Sequence, residues 1–348
     1  MPTGTKEVEE RHRFDTTRLV ALLRREIEEF DGGLEVRQFR GGQSNPTYEL
    51  TDGTHRWVLR RKPPGVLLPS AHAVDREFRV ISALHEVGFP VPRARLLCED
   101  ESVIGTMFFV MDYVEGRVLW DASLSDFSPG ARASFYESII DTLARLHRVD
   151  YEAIGLGDFG RPGNYFARQA SRWTRQYRAS ETVTIPEMER LIEWLPANIP
   201  DDASISIVHG DYGLNNLLVH PTQPRVVAVL DWELSTIGHP LGDLTYQLSQ
   251  RRMPSNALHG LDDATLAARG IPTEAEFVAA YCERTGRGGV ANLDFYLAFH
   301  CFRSASIMQG IAGRVKQGTA AGERAENVGQ LVRPLAEQGL ELASRMGA

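Results

Sequence analysis

One run in the second half of the chain has a pattern unlike its surroundings. In ISIVHGDYGLNNLLVHPTQPRVVAVLDWE, two apolar runs bracket a polar loop, and a third follows a proline-containing turn. Apolar runs this short, bounded by turn residues, predict buried strands. Polar residues bracketed by such strands are held in fixed positions, which is what chemistry requires. They are His209, Gly210, Asp211 and Asn216, with Asp231 closing the third run.

The rest of the chain organises around this island. Its 348 residues call for about two lobes or domains. Residues 15–30 place Leu19, Leu22, Leu23 and Ile27 at amphipathic-helix spacing, behind Asp15 or Thr16 as a cap. LEVRQFR, TYEL and RWVLR then read as a β-meander, with GGQSN and TDGTH at its turns. A helix is predicted from near Ser70, then a strand in RARLLCED and another in TMFFVMDYV. Beyond the Gly-containing connector EGRVL, helical periodicity takes over at 128–148, 163–179, 186–196, 273–285, 292–312 and 322–346. The expectation is an α+β protein with a β-rich N-terminal lobe (1–113), a mostly α-helical C-terminal lobe (114–348) and a hinge near 112–117.

Charge and cysteines narrow the functional classes. The formal charge of −8, from 38 Lys and Arg against 46 Asp and Glu, argues against nucleic-acid binding through a generally basic surface. Cys98, Cys282 and Cys301 are odd in number and unpaired by spacing, so neither a disulfide framework nor a zinc site is expected. The start, MPTGTKEVEERHRF, has no apolar export segment, and apolar runs such as 107–111 and 226–230 are far shorter than a membrane span. A cytoplasmic protein with a small-molecule partner, no nucleic acid and no membrane is expected; its oligomeric state stays open.

The island's spacing points to phosphoryl transfer. That reaction asks little covalent help of a protein: magnesium neutralises phosphate charge, and a carboxylate orients and deprotonates the attacking hydroxyl. Asp211, Asn216 five positions on and Asp231 fifteen further match the kinase scheme H-x-D-x-x-x-x-N followed by a metal-binding Asp. Asp211 is the expected base; Asn216 and Asp231 are the expected magnesium ligands. Singly, each could cap a turn or satisfy a loop; together, in this order, they specify a site.

HGDYGLNNLLV followed by VLDWE resembles the aminoglycoside phosphotransferase-like (choline kinase-like) family more than protein kinases, since Gly210 replaces the usual Arg and Trp-Glu follows Asp231. STIGHPLGDLTY is similar to the same family, with His239 where an acidic residue is usual and Asp243 matching the family's second Asp. The resemblance implies a bilobal protein-kinase-like fold that binds ATP and Mg2+. It also implies that Gly41, Gly42, Ser44 and Asn45 form the nucleotide-covering loop, and that Asp112, Tyr113 and Val114 offer backbone edges to adenine.

A kinase also needs a cation on its third strand and a glutamate on the following helix. Period-two reading of WVLRRK sets Trp57 and Leu59 on one face and Val58 and Arg60 on the other, making Arg60 the aligned cation where the family commonly has Lys. Arg61 and Lys62 are its competitors. Glu77, one turn from Ala73 and Ile81, is the expected partner, with Asp75 as the alternative.

The acceptor must be read from the C-terminal helices. In LDFYLAFHCFRSASIMQGIAGRVKQG, Asp294 stands alone and the later charges are Arg303, Arg314 and Lys316. That pattern lacks the acidic cluster a polycationic aminoglycoside needs and favours an anionic or neutral acceptor. Arg303, among Phe299, Phe302 and Ile307, is the candidate to meet a carboxylate or phosphate. GGQSNPTYEL, VLRRKPPGVLLPSAHAVDREFRV, VLDWELSTIGHPLGDLTY and FRSASIMQG look like the kinase-like domain fused to acyl-CoA dehydrogenases and its stand-alone bacterial relatives. This resemblance implies a hydroxyacyl or hydroxyacyl-CoA acceptor. The alternatives are an aminoglycoside or choline/homoserine-type kinase and, in another class, a non-catalytic nucleotide-binding module.

Overall fold

Period-two patterning in the first third of the chain closes into an antiparallel sheet in the computed structural model, which describes residues 4–40, 45–63, 73–254, 256–316 and 328–347. The strands are β1 (Thr5–Lys6), β2 (Glu35–Phe39), β3 (Thr47–Thr51), β4 (Arg56–Arg61), β5 (Ala94–Cys98) and β6 (Phe108–Asp112), in the order β1-β2-β3-β4-β6-β5. Alternation decides the two faces. Tyr48, Leu50, Trp57, Leu59, Phe108 and Val110 pack with Leu19 and Leu23 of α1 (Thr17–Glu26) and with Ile27 in one buried core. Each such side chain contributes roughly 1.5–3 kcal/mol on burial. The opposite face carries Val58, Arg60 and Phe109, and there Phe78 of α2 (Val74–Glu86) meets Phe109 edge-on at 6.1 Å. Ser70, the expected start of this helix, lies outside the described residues.

The chain divides into two compact units. The sheet's unit, Met1–Trp120, also takes in Asp150–Phe159 and Leu214–Ser235. It therefore holds a second, three-stranded antiparallel sheet of β7 (Arg117–Val118), β9 (Leu217–Val219) and β10 (Val226–Val229), in the order β10-β9-β7. Gly116 just before β7 sits so close to Leu218 that an added Cβ would stand 2.4 Å from it, so the connector out of the large sheet needs glycine there.

The other unit comprises Asp121–Val149, Gly160–Gly213 and Thr236–Ala348. A short antiparallel pair, β8 (Ser206–Val208) and β11 (Thr236–Gly238), is set among the helices α3 (Pro129–His147), α4 (Tyr165–Ser180), α5 (Pro186–Ala197), α6 (Leu241–Arg251), α7 (Asp263–Ala268), α8 (Glu274–Thr285), α9 (Leu293–Lys316) and α10 (Val332–Ser344). Local signals set several starts: Pro129 opens α3 behind Ser128, whose hydroxyl accepts the Ala131 N–H, and Thr273 and Glu276 form a capping box on α8. α9 packs against α4, α6 and α10 and buries a continuous run from Phe295 to Arg303. Helix α6 is absent from the periodicity reading. Leu241–Leu244, Thr245, Gln247, Leu248 and Ser249 are all buried, so the helix has no apolar stripe to betray it. Among the described residues no helix is long and apolar enough to cross a membrane.

Candidate active site

In the sheet's unit, β4 sends Arg60 and Arg61 to opposite faces. Arg61 belongs to the core side: its guanidinium lies over Phe14 and Tyr48 and donates to the His12 and Ile104 carbonyls at 2.9 and 3.3 Å. Arg60 instead enters a carboxyl cluster. Its Nε lies 2.8 Å from Glu77 Oε2 on α2, and its Nη2 lies 2.5 Å from Asp231 Oδ1 and 3.5 Å from Glu233 Oε2. Asn45, fully buried, donates to Glu233 Oε2 at 3.2 Å. Residues 45, 60, 77, 231 and 233, scattered along the sequence, thus share one site.

Asp231 follows β10 with φ of +65°, a left-handed conformation that Asp adopts more readily than most residues. The 3-10 turn Trp232–Leu234 comes next. Trp232 anchors it, donating from its indole to the Val229 carbonyl at 2.9 Å and meeting Phe89 edge-on. Asn216 is buried, and its carbonyl accepts the Leu230 N–H at 2.8 Å. That bond ties Asn216 to the residue before Asp231, bringing together the two expected metal ligands. Among the described residues no three His, Cys, Asp or Glu side chains form a metal cage. One carboxylate and one carboxamide, with further oxygens from phosphate and water, is a donor set that suits magnesium.

The cluster is short of positive charge. Burial pushes the Glu77 carboxyl up to about 7; Arg60 opposes this, Asp231 and Glu233 add to it, and the Trp232 amide works with Arg60. Burial works to lower Arg60, but its three carboxyl neighbours outweigh this and hold it above the ordinary arginine value.

In the helical unit, Asp211 follows β8 on a loop fixed by one buried carboxylate. Asp243 at the start of α6 accepts the His209 N–H at 2.6 Å and the Gly210 N–H at 2.8 Å, and lies 3.4 Å from His147 Nε2. Burial pushes Asp243 up, but His147 and His209 outweigh it and hold the carboxyl below the usual aspartate range. Gly210, at φ +83°, makes the turn, and the Asp211 N–H donates to His209 Nδ1 at 3.2 Å. The Tyr246 hydroxyl hydrogen-bonds Asp211, and burial with that contact raises the phenol far above its ordinary value. Arg303 donates to the Gly210 carbonyl at 2.8 Å, its guanidinium over Tyr246 at 4.9 Å and over Trp173 at 5.4 Å. Arg172 also lies over Trp173, at 5.5 Å.

Other expected positions have their own partners. The Asp112 carboxylate lies on Arg95 at 2.5 and 3.2 Å, and its N–H donates to the Arg93 carbonyl; the Tyr113 N–H donates to the Arg56 carbonyl at 3.3 Å. His239 faces Asp202 at 3.3 Å, while its Nδ1 accepts the Leu241 N–H. Gly41, Gly42 and Ser44 lie outside the described residues. Glu233, Tyr246, Arg172 and Trp173 were not singled out in the sequence. Only Glu233 and Tyr246 carried a signal, as the close neighbours of Asp231 and Asp243.

The sequence profile of the phosphotransferase enzyme family matches residues 35–285, a span that holds the Arg60 cluster and the Asp211 loop. The chain belongs to the phosphotransferase enzyme family. A phosphotransferase acting on an alcohol group is the enzyme class this membership carries, and its fold is the protein-kinase-like one. The chain is 44% identical over 352 residues to acyl-CoA dehydrogenase family member 11 of Gallus gallus, matching 99% of this chain and 45% of that protein. It spans 30–45% of the length of the curated relatives it matches. A candidate aminoglycoside phosphotransferase from Ralstonia eutropha is 49% identical, with a TM-score of 0.88, 96% of this chain and 99% of that one covered. A thermostable mutant aminoglycoside phosphotransferase in ternary complex with ADP and hygromycin B shares the fold at 14% identity and a TM-score of 0.59, with 93% and 99% covered.

Proposed function

We propose that this phosphotransferase moves the γ-phosphoryl group of ATP to the hydroxyl of a small acceptor, with a hydroxyacyl compound or its CoA ester as the acceptor class. One observation carries the reading: Arg60, Glu77 and Asp231, expected separately from kinase chemistry, meet in a single cluster. Glu77 orients Arg60, whose second nitrogen is the donor for an α- or β-phosphate oxygen. Asn216 and Asp231 would hold Mg2+, which supplies neutralisation of phosphate charge when bound. Asp211, on the loop that Asp243 fixes, accepts the proton of the acceptor hydroxyl. Adenine recognition falls to Val114 and the carbonyls of 112–114, because the Asp112 and Tyr113 N–H groups already have partners; the hinge is proposed at 112–117, between lobes 1–113 and 114–348. Gly41, Gly42 and Ser44 complete the nucleotide side.

Arg303, bonded to the carbonyl of the residue before Asp211, supports an acceptor that is anionic, and the relatives' link to acyl-CoA dehydrogenases supports a hydroxyacyl one. Replacing Asp211 by Ala is expected to lower turnover by about 10²–10⁴-fold while ATP affinity stays near that of the native protein. Asp231→Ala should also weaken magnesium-dependent nucleotide binding. Single-turnover transfer and nucleotide titration check both; an Asp211→Ala variant with native turnover contradicts the mechanism.

A further inference from the structure

Helix α2 begins behind Ala73, whose side chain makes no capping hydrogen bond. The N–H groups of a first turn have no helical partners, and a turn without a cap frays. Yet this first turn carries Glu77, which sets Arg60. It also carries Arg76, a cation at the helix end where the backbone dipole disfavours one. Arg76 Nη2 donates to the Phe159 carbonyl at 2.6 Å and to the Ser235 carbonyl at 3.5 Å, with its guanidinium 4.2 Å over the Phe159 ring. Partial burial holds this guanidinium below the ordinary arginine value, with Arg79 adding to the effect and Asp75 and Asp158 opposing it.

Both carbonyls belong to fixed backbone of the sheet's unit. Leu156 and Phe159 are buried near the end of the Asp150–Phe159 segment, where the Phe159 N–H closes a turn on the Leu156 carbonyl at 3.0 Å. Ser235 follows the 3-10 turn Trp232–Leu234, and its N–H and hydroxyl both donate to the Trp232 carbonyl, at 3.0 and 2.6 Å. At the other end of that turn, Glu77 accepts the Trp232 N–H. Arg76 and Glu77, adjacent on α2, therefore hold the two ends of the turn that follows Asp231 and carries Glu233. Arg79 grips the same outer segment one turn on, donating to the Gly155 carbonyl at 2.7 Å and pairing with Asp158.

We infer that Arg76 is a positioning residue for phosphoryl transfer: by fastening the first turn of α2 to the backbone at Phe159 and Ser235, it keeps Glu77 on Arg60. The inference rests on the reading of the Arg60, Glu77 and Asp231 cluster as the phosphate side. Without Arg76 the uncapped turn loosens and Glu77 leaves Arg60. The partners that remain to Arg60 are then Asp231 and Glu233, so its guanidinium is drawn onto the carboxylate that would hold magnesium. Nucleotide binding suffers, although Arg76 itself holds backbone and not phosphate.

Hydrogen exchange of the full chain, followed by mass spectrometry, and calorimetric titration with the magnesium complex of the ATP analogue AMP-PNP test this together. In Arg76→Ala, amides of residues 74–79 and 232–235 should exchange faster than in the native protein, and affinity for the analogue should fall roughly tenfold or more. Arg76→Ala combined with Glu77→Gln should bind no more weakly than Glu77→Gln alone, because the first change acts through the second residue. Arg76→Lys, which keeps the charge without the planar fork, should fall between native and alanine, and covers the case in which the alanine variant fails to fold. Native exchange in both segments, native affinity in Arg76→Ala beside a weakened Glu77→Gln, or losses that add in the double variant each overturn the positioning role. Faster exchange in those segments with native affinity in every variant leaves the clamp standing and removes the phosphate reading of the Arg60 cluster.

Discussion

Around Arg60, one guanidinium faces three carboxyl groups; around Asp211, one buried carboxylate gathers two backbone N–H groups and a histidine. The first arrangement is charge-deficient, so its geometry depends on what else binds there. The second has its partners within the fold, so the loop bearing Asp211 is set before any substrate arrives. The two carboxyls at their centres are pushed in opposite directions: burial lifts Glu77, while hydrogen bonding overcomes burial to hold Asp243 down. The loop bearing Asp211 is thus rigid as folded, and the Arg60 cluster is the adjustable one.

The largest effect should come from removing the rigid side's anchor. Asp243→Ala orphans the His209 and Gly210 N–H groups and is expected to destabilise the protein by about 3–5 kcal/mol, read by urea unfolding. Asp243→Asn keeps the shape and should cost less. A near-neutral Asp243→Ala would mean that the loop is held by something else.

The opposite titrations give a sharper test. Glu77 binds a proton in the folded protein over a window, from the ordinary glutamate value of 4.5 to about 7, where the unfolded chain has released it. Its contribution to stability therefore falls as pH rises through that window. Asp243, held below its ordinary value of 3.8, contributes stability at higher pH that is lost as pH falls below that value. Glu77→Gln should flatten the decline toward neutral pH and leave the acid limb; Asp243→Asn should do the reverse. Melting temperature followed against pH in the three proteins checks it, and identical profiles would break the contrast.

The smallest effect is expected at Tyr246. Tyr246→Phe removes a single hydroxyl from Asp211, a loss of about 0.5–1.5 kcal/mol for one hydrogen bond. It should appear in kcat and its pH profile rather than in ATP affinity. An unchanged kcat would reduce Tyr246 to a packing residue.

The two regions also differ in how far the sequence revealed them. Alternation along β4 was enough to separate Arg60 from Arg61, because a strand's period is two and one face had to be core. Helical spacing similarly favoured Glu77. The strands around the Asp211 loop were legible as short apolar runs. What surrounds that loop was not: α6 is buried on nearly every side and shows no stripe, and the contacts of Arg303 with Gly210, Trp173 and Tyr246 join segments far apart in sequence. Arg303 read as a cation among aromatics, which it is; that it also fastens the Gly210 carbonyl depends on how α9 packs.

Transfer of label from γ-labelled ATP to a panel of hydroxy acids, their CoA esters, aminoglycosides and amino alcohols tests the central claim most directly. Magnesium-dependent labelling of the hydroxyacyl members is expected, and none with Asp211→Ala. Tight ATP binding with no acceptor labelled, or labelling confined to aminoglycosides, would contradict it.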